Sequence, residues 1–223
     1  MSTRNLTCVV HECEYKVAKY CQWNGYLDSQ GKIILDFLSK KFDKATFLAE
    51  MLRVRKPTDE EIKEINSCKE WAVKYPFLSR DMGGDILEEI QNRKVLYHIP
   101  DVGFAKDSLF CEFAYVIDLD KDTFEVYKGF VKTPISSTER FYFEGYEKDG
   151  YYPVKLLKEY KLDSLPCEKE FFAIDKESNW QIPGISHNLT MTTQQALDIY
   201  NQFKHSSYPL SDLKYLELLS ETK

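Results

Sequence analysis

Residues 5–23, NLTCVVHECEYKVAKYCQW, decide how the rest of the chain is read. Over residues 5–11, Leu6, Cys8 and Val10 alternate with Asn5, Thr7 and Val9. Over residues 15–23, Val17, Lys19, Cys21 and Trp23 alternate with Lys16, Ala18, Tyr20 and Gln22. A period of two is the pattern of a β-strand, and the polar run HECE between the two segments reads as a hairpin turn. The second strand then runs into Gln22, Trp23, Asn24, Gly25 and Tyr26 before LDSQG. At a strand end, polar side chains project without interrupting a ladder. There Gln22 and Asn24 can read a hydrogen-bonding edge, while Trp23 and Tyr26 can stack on a planar ring or bury as anchors with a polar tip.

After the hairpin the period changes. KIILDFLSK places Ile33, Ile34, Phe37 and Leu38 at helical spacing, and DKATFLAEMLR repeats it with Phe47, Leu48, Met51 and Leu52. PTDEEIKEINSCKEWAVKY opens with Thr58 and Glu61 in capping-box spacing and predicts one helix whose inner face is Ile62, Ile65, Ala72 and Tyr75, ended by Pro76. A further helix is expected from about Asp85 to Arg93, with Ile86, Leu87 and Ile90 inside. From Val95 the pattern returns to strands. KVLYHI, SLFCEFAYVIDL and FEVYKGF are expected strands, with DKDT as a hairpin turn. RFYFEGYEKDGYYPVKLL is an expected hairpin turning at Asp149-Gly150, and KEFFAI an expected strand. Late in the chain TTQQALDIYNQFK predicts a helix that buries Ala196, Tyr200 and Phe203. Strands in hairpins around a helical block predict an α+β fold, a mainly antiparallel sheet with the helical block inserted after the N-terminal hairpin. One domain over residues 1–223 is expected.

The totals narrow the function classes. With 223 residues the chain can bury a full core. A net charge of −6, with both signs interspersed, leaves no basic stripe for duplex nucleic acid. No apolar run approaches the roughly 20 residues that span a bilayer, so no membrane association is expected. Six scattered cysteines read as reduced thiols, which points to the cytoplasm.

Several motifs point to chemistry and fall short of it. Cys8, His11, Cys13 and Cys21 have metal-ligand character, but Cys8 and Cys13 face opposite sides of a strand, so buried thiols and a turn histidine are expected. Asp118, Asp120 and Asp122 open like a calcium loop, yet Thr123 stands where glycine belongs and Gly129 where a glutamate belongs. No metal and no cofactor are expected. SRDMGG, residues 79–84, is different: Arg80 and Asp81 precede a glycine-rich helix start, where backbone N–H groups favour an anion and Arg80 can pair with it.

STRNLTCVV, YKVAKYCQWNGYLDSQG, LSRDMGGDILEEI and FAYVIDLDKDTFEVYKGF together resemble an uncharacterised protein family of phages, bacteria and fungi. Members of that family begin like MGTRNL and carry motifs like KVAQYGQWDGYPEGQG, SRDTGAKILELI and YAYVIDLD. The resemblance spans roughly residues 1–130. Ser2, Cys13 and Cys21 replace family glycines here, Asn24 an aspartate, and Leu27-Asp28 a Pro-Glu pair, so a mechanism needing a carboxylate at position 24 does not transfer. The resemblance implies a phage-type accessory protein acting in the host cytoplasm, including against nucleotide-signalling immunity.

Three readings follow. The first is a binding protein that sequesters a small anionic or nucleotide-like signal through Arg4, Gln22, Asn24, Tyr26 and Arg80, with Trp23 as anchor. The second is a hydrolase with an N-terminal-nucleophile-like fold, in which Thr3 is the candidate after trimming. The third is an interaction protein that inhibits a host enzyme through an aromatic surface. Association into a homo-oligomer is open in all three.

Overall fold

A computed structural model of the chain describes residues 3–177. The expected helix over residues 192–204, and the single domain drawn to residue 223, extend outside the described residues. The fold is α+β. Five strands form one sheet in the order β2-β1-β3-β4-β5: β1 Asn5–His11, β2 Glu14–Cys21, β3 Phe113–Asp118, β4 Thr123–Lys128 and β5 Lys155–Lys161. The β1–β2, β3–β4 and β4–β5 pairs are antiparallel, as hairpin patterning predicts. The two hairpins are joined by a parallel β1–β3 pairing, Asn5 opposite Phe113 through Val10 opposite Asp118.

Helical layers cover one face. α1 Lys32–Lys40, α2 Lys44–Met51 and α5 Ile86–Gln91 bury Ile34, Phe37, Phe47, Met51, Ile86, Leu87 and Ile90 against Val9, Val17, Tyr115, Ile117 and Phe124. The other face carries Leu6, Cys8, Val10, Ala18, Ala114 and Val116, and its cover includes Phe141 and Val154 from irregular chain. With both faces covered, β1 is buried along its whole length up to His11. The two hairpin tips hold each other: Glu12 and Cys13, both at positive φ as a two-residue turn requires, donate their N–H groups to the Asp120 carboxylate at 2.9 and 2.8 Å.

Four expectations are corrected. The helix expected across residues 58–75 forms its capping box at Thr58 and Glu61 but stops as α3 Asp59–Ser67. Ser67 Oγ turns back to the Glu64 carbonyl at 2.9 Å, Cys68 is extended, and only the short α4 Trp71–Lys74 follows. Of the expected inner face only Tyr75 is buried. KEFFAI is not a strand but part of α6 Glu168–Glu177: Phe171 and Ile174 are buried one helical turn apart, and Glu170 caps the Cys167 N–H at 3.1 Å. A short apolar run does not fix its own period. KVLYHI makes one parallel bridge, Arg55 to Tyr97, instead of a strand. In 140–157 the Asp149-Gly150 turn forms, but the preceding arm does not pair. Arg140 instead reaches into the sheet to Glu125, at 2.6 and 2.5 Å, and to Asp118, while Phe141 packs edge-on against Tyr127. Two carboxylates buried on that face need a cation, and this outweighs a marginal hairpin arm.

The chain after α5 is fastened to the outer edge of β2 by a histidine. His98 Nε2 accepts the Ala18 N–H at 3.0 Å, and burial, with Lys19 nearby, pushes its imidazole down to about 4. The unfolded chain therefore binds the extra proton between about pH 6.5 and 4, and folded-state stability falls as pH drops through that window. Urea unfolding at pH 7 and at pH 4 should differ by on the order of 3 kcal/mol from this group. His98→Gln should remove that part of the difference.

Candidate functional site

The two motif loops singled out by sequence are one structure. Residues 22–31 leave β2, and residues 76–84 pass beside them. The Gln22 N–H donates to the Arg80 carbonyl at 2.8 Å, and the Gly84 N–H donates to the buried Gln30 Oε1 at 2.7 Å. Gly83 holds φ +53° with the Gln30 amide against it, where a Cβ would lie 2.2 Å from Oε1. Glycine is required there on both counts. The Gly84 N–H, which an anion at this helix start would use, is thus occupied by Gln30.

The loop over residues 22–31 is held from below by the head of β1 and by β3. The Gly25 N–H donates to the Thr3 carbonyl at 2.9 Å, Asn5 Nδ2 to the Trp23 carbonyl at 3.3 Å, and Tyr115 Oη to the Gly25 carbonyl at 2.7 Å. Asn24 takes a left-handed φ of 56°, a conformation asparagine tolerates, and the Gln30 N–H closes the loop on the Asn24 carbonyl at 3.0 Å. One turn of π-helix, Leu27–Gly31, then leads into α1.

With its backbone tied down on all sides, the loop presents its aromatic side chains outward. Trp23 and Tyr26 are each 48 % exposed, and Tyr26 rests edge-on against Phe113. Asn24 and Arg80 are exposed as well. Gln22 is half-buried, its Oε1 accepting from Tyr20 Oη, and Tyr20 in turn packs edge-on against Phe104. Arg4 lies apart from this group: by register it shares the face of Leu6 and Tyr20, and its guanidinium stacks over Phe110 at 4.8 Å. The Gln22–Arg80 backbone bond therefore joins the loop that carries exposed Trp23, Asn24 and Tyr26 to the loop that carries exposed Arg80, while the Gln22 side chain, tied to Tyr20, and Arg4, over Phe110, lie apart from the two aromatics. Phe110 and Phe130 flank that end and are also exposed.

Sequence reading missed what lies underneath. Thr3, Asn5 and Thr7, which alternation alone would send to solvent, are at most 1 % exposed, and Thr3 Oγ1, Asn5 Oδ1 and Thr7 Oγ1 have no hydrogen-bond partner. Lys19 and Cys21 sit opposite Thr7 and Asn5 on β2. The signal was a strand whose second face reads Thr-Asn-Thr; only the helical cover turns it into a buried polar row. A groove of about 520 Å³ between α1 and residues 162–168, lined in part by Leu35, Leu38, Leu162 and Leu165, shares no residue with the platform.

Gly25 tests how tightly the platform is seated. A Cβ there would lie 2.9 Å from the Thr3 carbonyl oxygen and from Asn5 Cβ. Gly25→Ala should destabilise the protein by about 2 kcal/mol, measured by urea unfolding, because backbone must move. No family model, curated protein or solved structure matches the chain.

Proposed function

We propose that the protein binds and sequesters a small, planar, anionic ligand of nucleotide-like character on the platform of residues 22–31 and 76–84. Trp23 and Tyr26 stack on the planar part, Asn24 reads a polar edge, and Arg80 pairs with the anionic group. The observation that carries the reading is the pair of half-exposed aromatic side chains on a loop whose backbone is already fixed. Fixed aromatics bind at low entropic cost, and burying them would recover apolar area that water now covers. Together with the resemblance to phage accessory proteins, this supports a counter-defence role in which a host signal is removed from solution.

One observation favours a second reading. Thr3, at the head of β1, has a buried hydroxyl without a partner, as a nucleophile awaiting trimming of the residues before it would. Mass spectrometry of the purified protein separates the two: Thr3 as the first residue favours hydrolysis, and a retained Ser2 rules a Thr3 nucleophile out.

The binding reading is tested by isothermal titration against cyclic nucleotides and ADP-ribose derivatives. At least one should bind, with Arg80→Ala and Trp23→Ala each weakening it about 10-fold or more, the loss expected for a charge-assisted hydrogen bond or a stacked base. Absence of heat with every member would overturn the reading.

A further inference from the structure

We propose that the protein docks an acidic, apolar-faced segment of another protein chain on the surface formed by residues 50–56 and 93–99, which shares no residue with the aromatic platform. Two stretches of chain lie side by side there, one leaving α2 and the other leaving α5. They are tied at two points. Arg93 donates to the Glu50 carboxylate from Nε at 2.8 Å and from Nη2 at 2.5 Å. Further along, the Arg55 N–H donates to the Leu96 carbonyl at 3.3 Å and the His98 N–H to the Arg55 carbonyl at 3.0 Å. Leu52 lies between the two ties, Leu96 at the second and Ile99 just past it, and all three are more than half exposed.

Cations alternate with these apolar side chains along both stretches. Arg53, Arg55, Arg93 and Lys94 are each more than half exposed, whereas their carboxylates lie deeper. The Glu50 side chain, which takes both Arg53 and Arg93, is 9 % exposed, and those of Glu61 and Glu89, which take Arg55 and Lys94, are 24 % exposed. Lys56 adds a further exposed cation. The acids that follow it, Asp59 and Glu60, open α3, where the helix N-terminus offsets part of their charge. In a chain of net charge −6, positive groups thus stand outermost beside an apolar stripe. Arg53 reaches Glu50 only at 3.5 Å, which leaves its guanidinium donors available for a bidentate carboxylate.

Charge selects among the possible occupants. An anionic bilayer attracts the same cations, but it extends past the patch and repels the rest of a chain whose net charge is −6. A second copy brings that same net charge with it. A short acidic segment meets the patch alone. Its apolar side chains seat on Leu52, Leu96 and Ile99, and its carboxylates pair with Arg53 and its neighbours, in keeping with the enrichment of arginine in protein interfaces. The surface is independent of any ligand on the platform, and either can fail without the other.

The test pans a phage-displayed library of random peptides, each about 12 residues long so as to cross the patch in helical or extended form, against the full-length protein. Selected peptides are then synthesised and titrated by fluorescence anisotropy. A family combining Asp or Glu with Leu, Ile or Phe should emerge. Its affinity should fall about 10-fold or more in Arg53→Glu and in Leu96→Ser, the loss of one charge-assisted contact or one buried leucine, and should weaken as salt is raised. Both side chains are exposed, so both variants should keep the wild-type urea midpoint; Leu52→Ser replaces either one whose midpoint moves. The proposal is wrong if no peptide is selected, if the selected peptides are basic, or if they bind the variants as tightly as the wild type. Binding to phosphatidylserine-containing vesicles that Arg53→Glu abolishes would overturn it in favour of a bilayer. A wild-type dimer in sedimentation that Leu96→Ser dissociates would overturn it in favour of a second copy.

Discussion

The head of β1, with Tyr115 of β3, holds the loop of residues 22–31 in place. β1 is an inner strand of the sheet, antiparallel to β2 on one side and parallel to β3 on the other, so its head is fixed from both flanks. From that head the Thr3 carbonyl takes the Gly25 N–H and the Asn5 amide takes the Trp23 carbonyl. Tyr115, on the neighbouring strand, donates to the Gly25 carbonyl. A loop secured in this way needs no packing of its own aromatics for stability, and Trp23 and Tyr26 are left at the surface. Exposed aromatics on mobile loops are unremarkable, but on a preorganised loop they offer binding area already in position.

The same strand shows the cost of the arrangement. A buried inner strand is expected to be apolar on both faces. β1 is apolar on the face of Leu6, Cys8 and Val10, but on the helical face only Val9 is apolar, and Thr7, Asn5 and Thr3 follow toward the head. Each buried polar atom without a partner costs about 1–3 kcal/mol, and Lys19 adds a buried cation beside them. Violations of the core rule tend to collect where a protein does its work, and here they collect beneath the platform.

Much of this was legible in the sequence. The α+β class and the N-terminal hairpin followed from the switch between a period of two and a helical period. The meeting of QWNGYLDSQG with SRDMGG was suspected from their residue types, but the glycine-rich start was read as a place for an anion and Gln30, which takes its N–H, was not singled out, because a glutamine facing a backbone N–H has no periodicity. The parallel β1–β3 pairing was also invisible, since alternation says which face a residue takes and nothing about which strand lies beside it. KEFFAI failed for want of length, and the 58–75 helix failed because a strong start at Thr58 says nothing about a stop at Ser67. The Thr3, Asn5 and Thr7 row would pass for a solvent face until the cover over it was known.

The central claim is that residues 22–31 and 76–84 are one rigid platform and not two surface loops that happen to adjoin. Amide hydrogen exchange of the native protein tests it most directly, at two N–H groups outside any long helix or strand: Gln22, bound to the Arg80 carbonyl, and Gly84, bound to the Gln30 side chain. The account predicts that both exchange only through the large-scale opening that also releases the β1 amides, with comparable protection. Exchange of either at the rate of an open surface loop would contradict it.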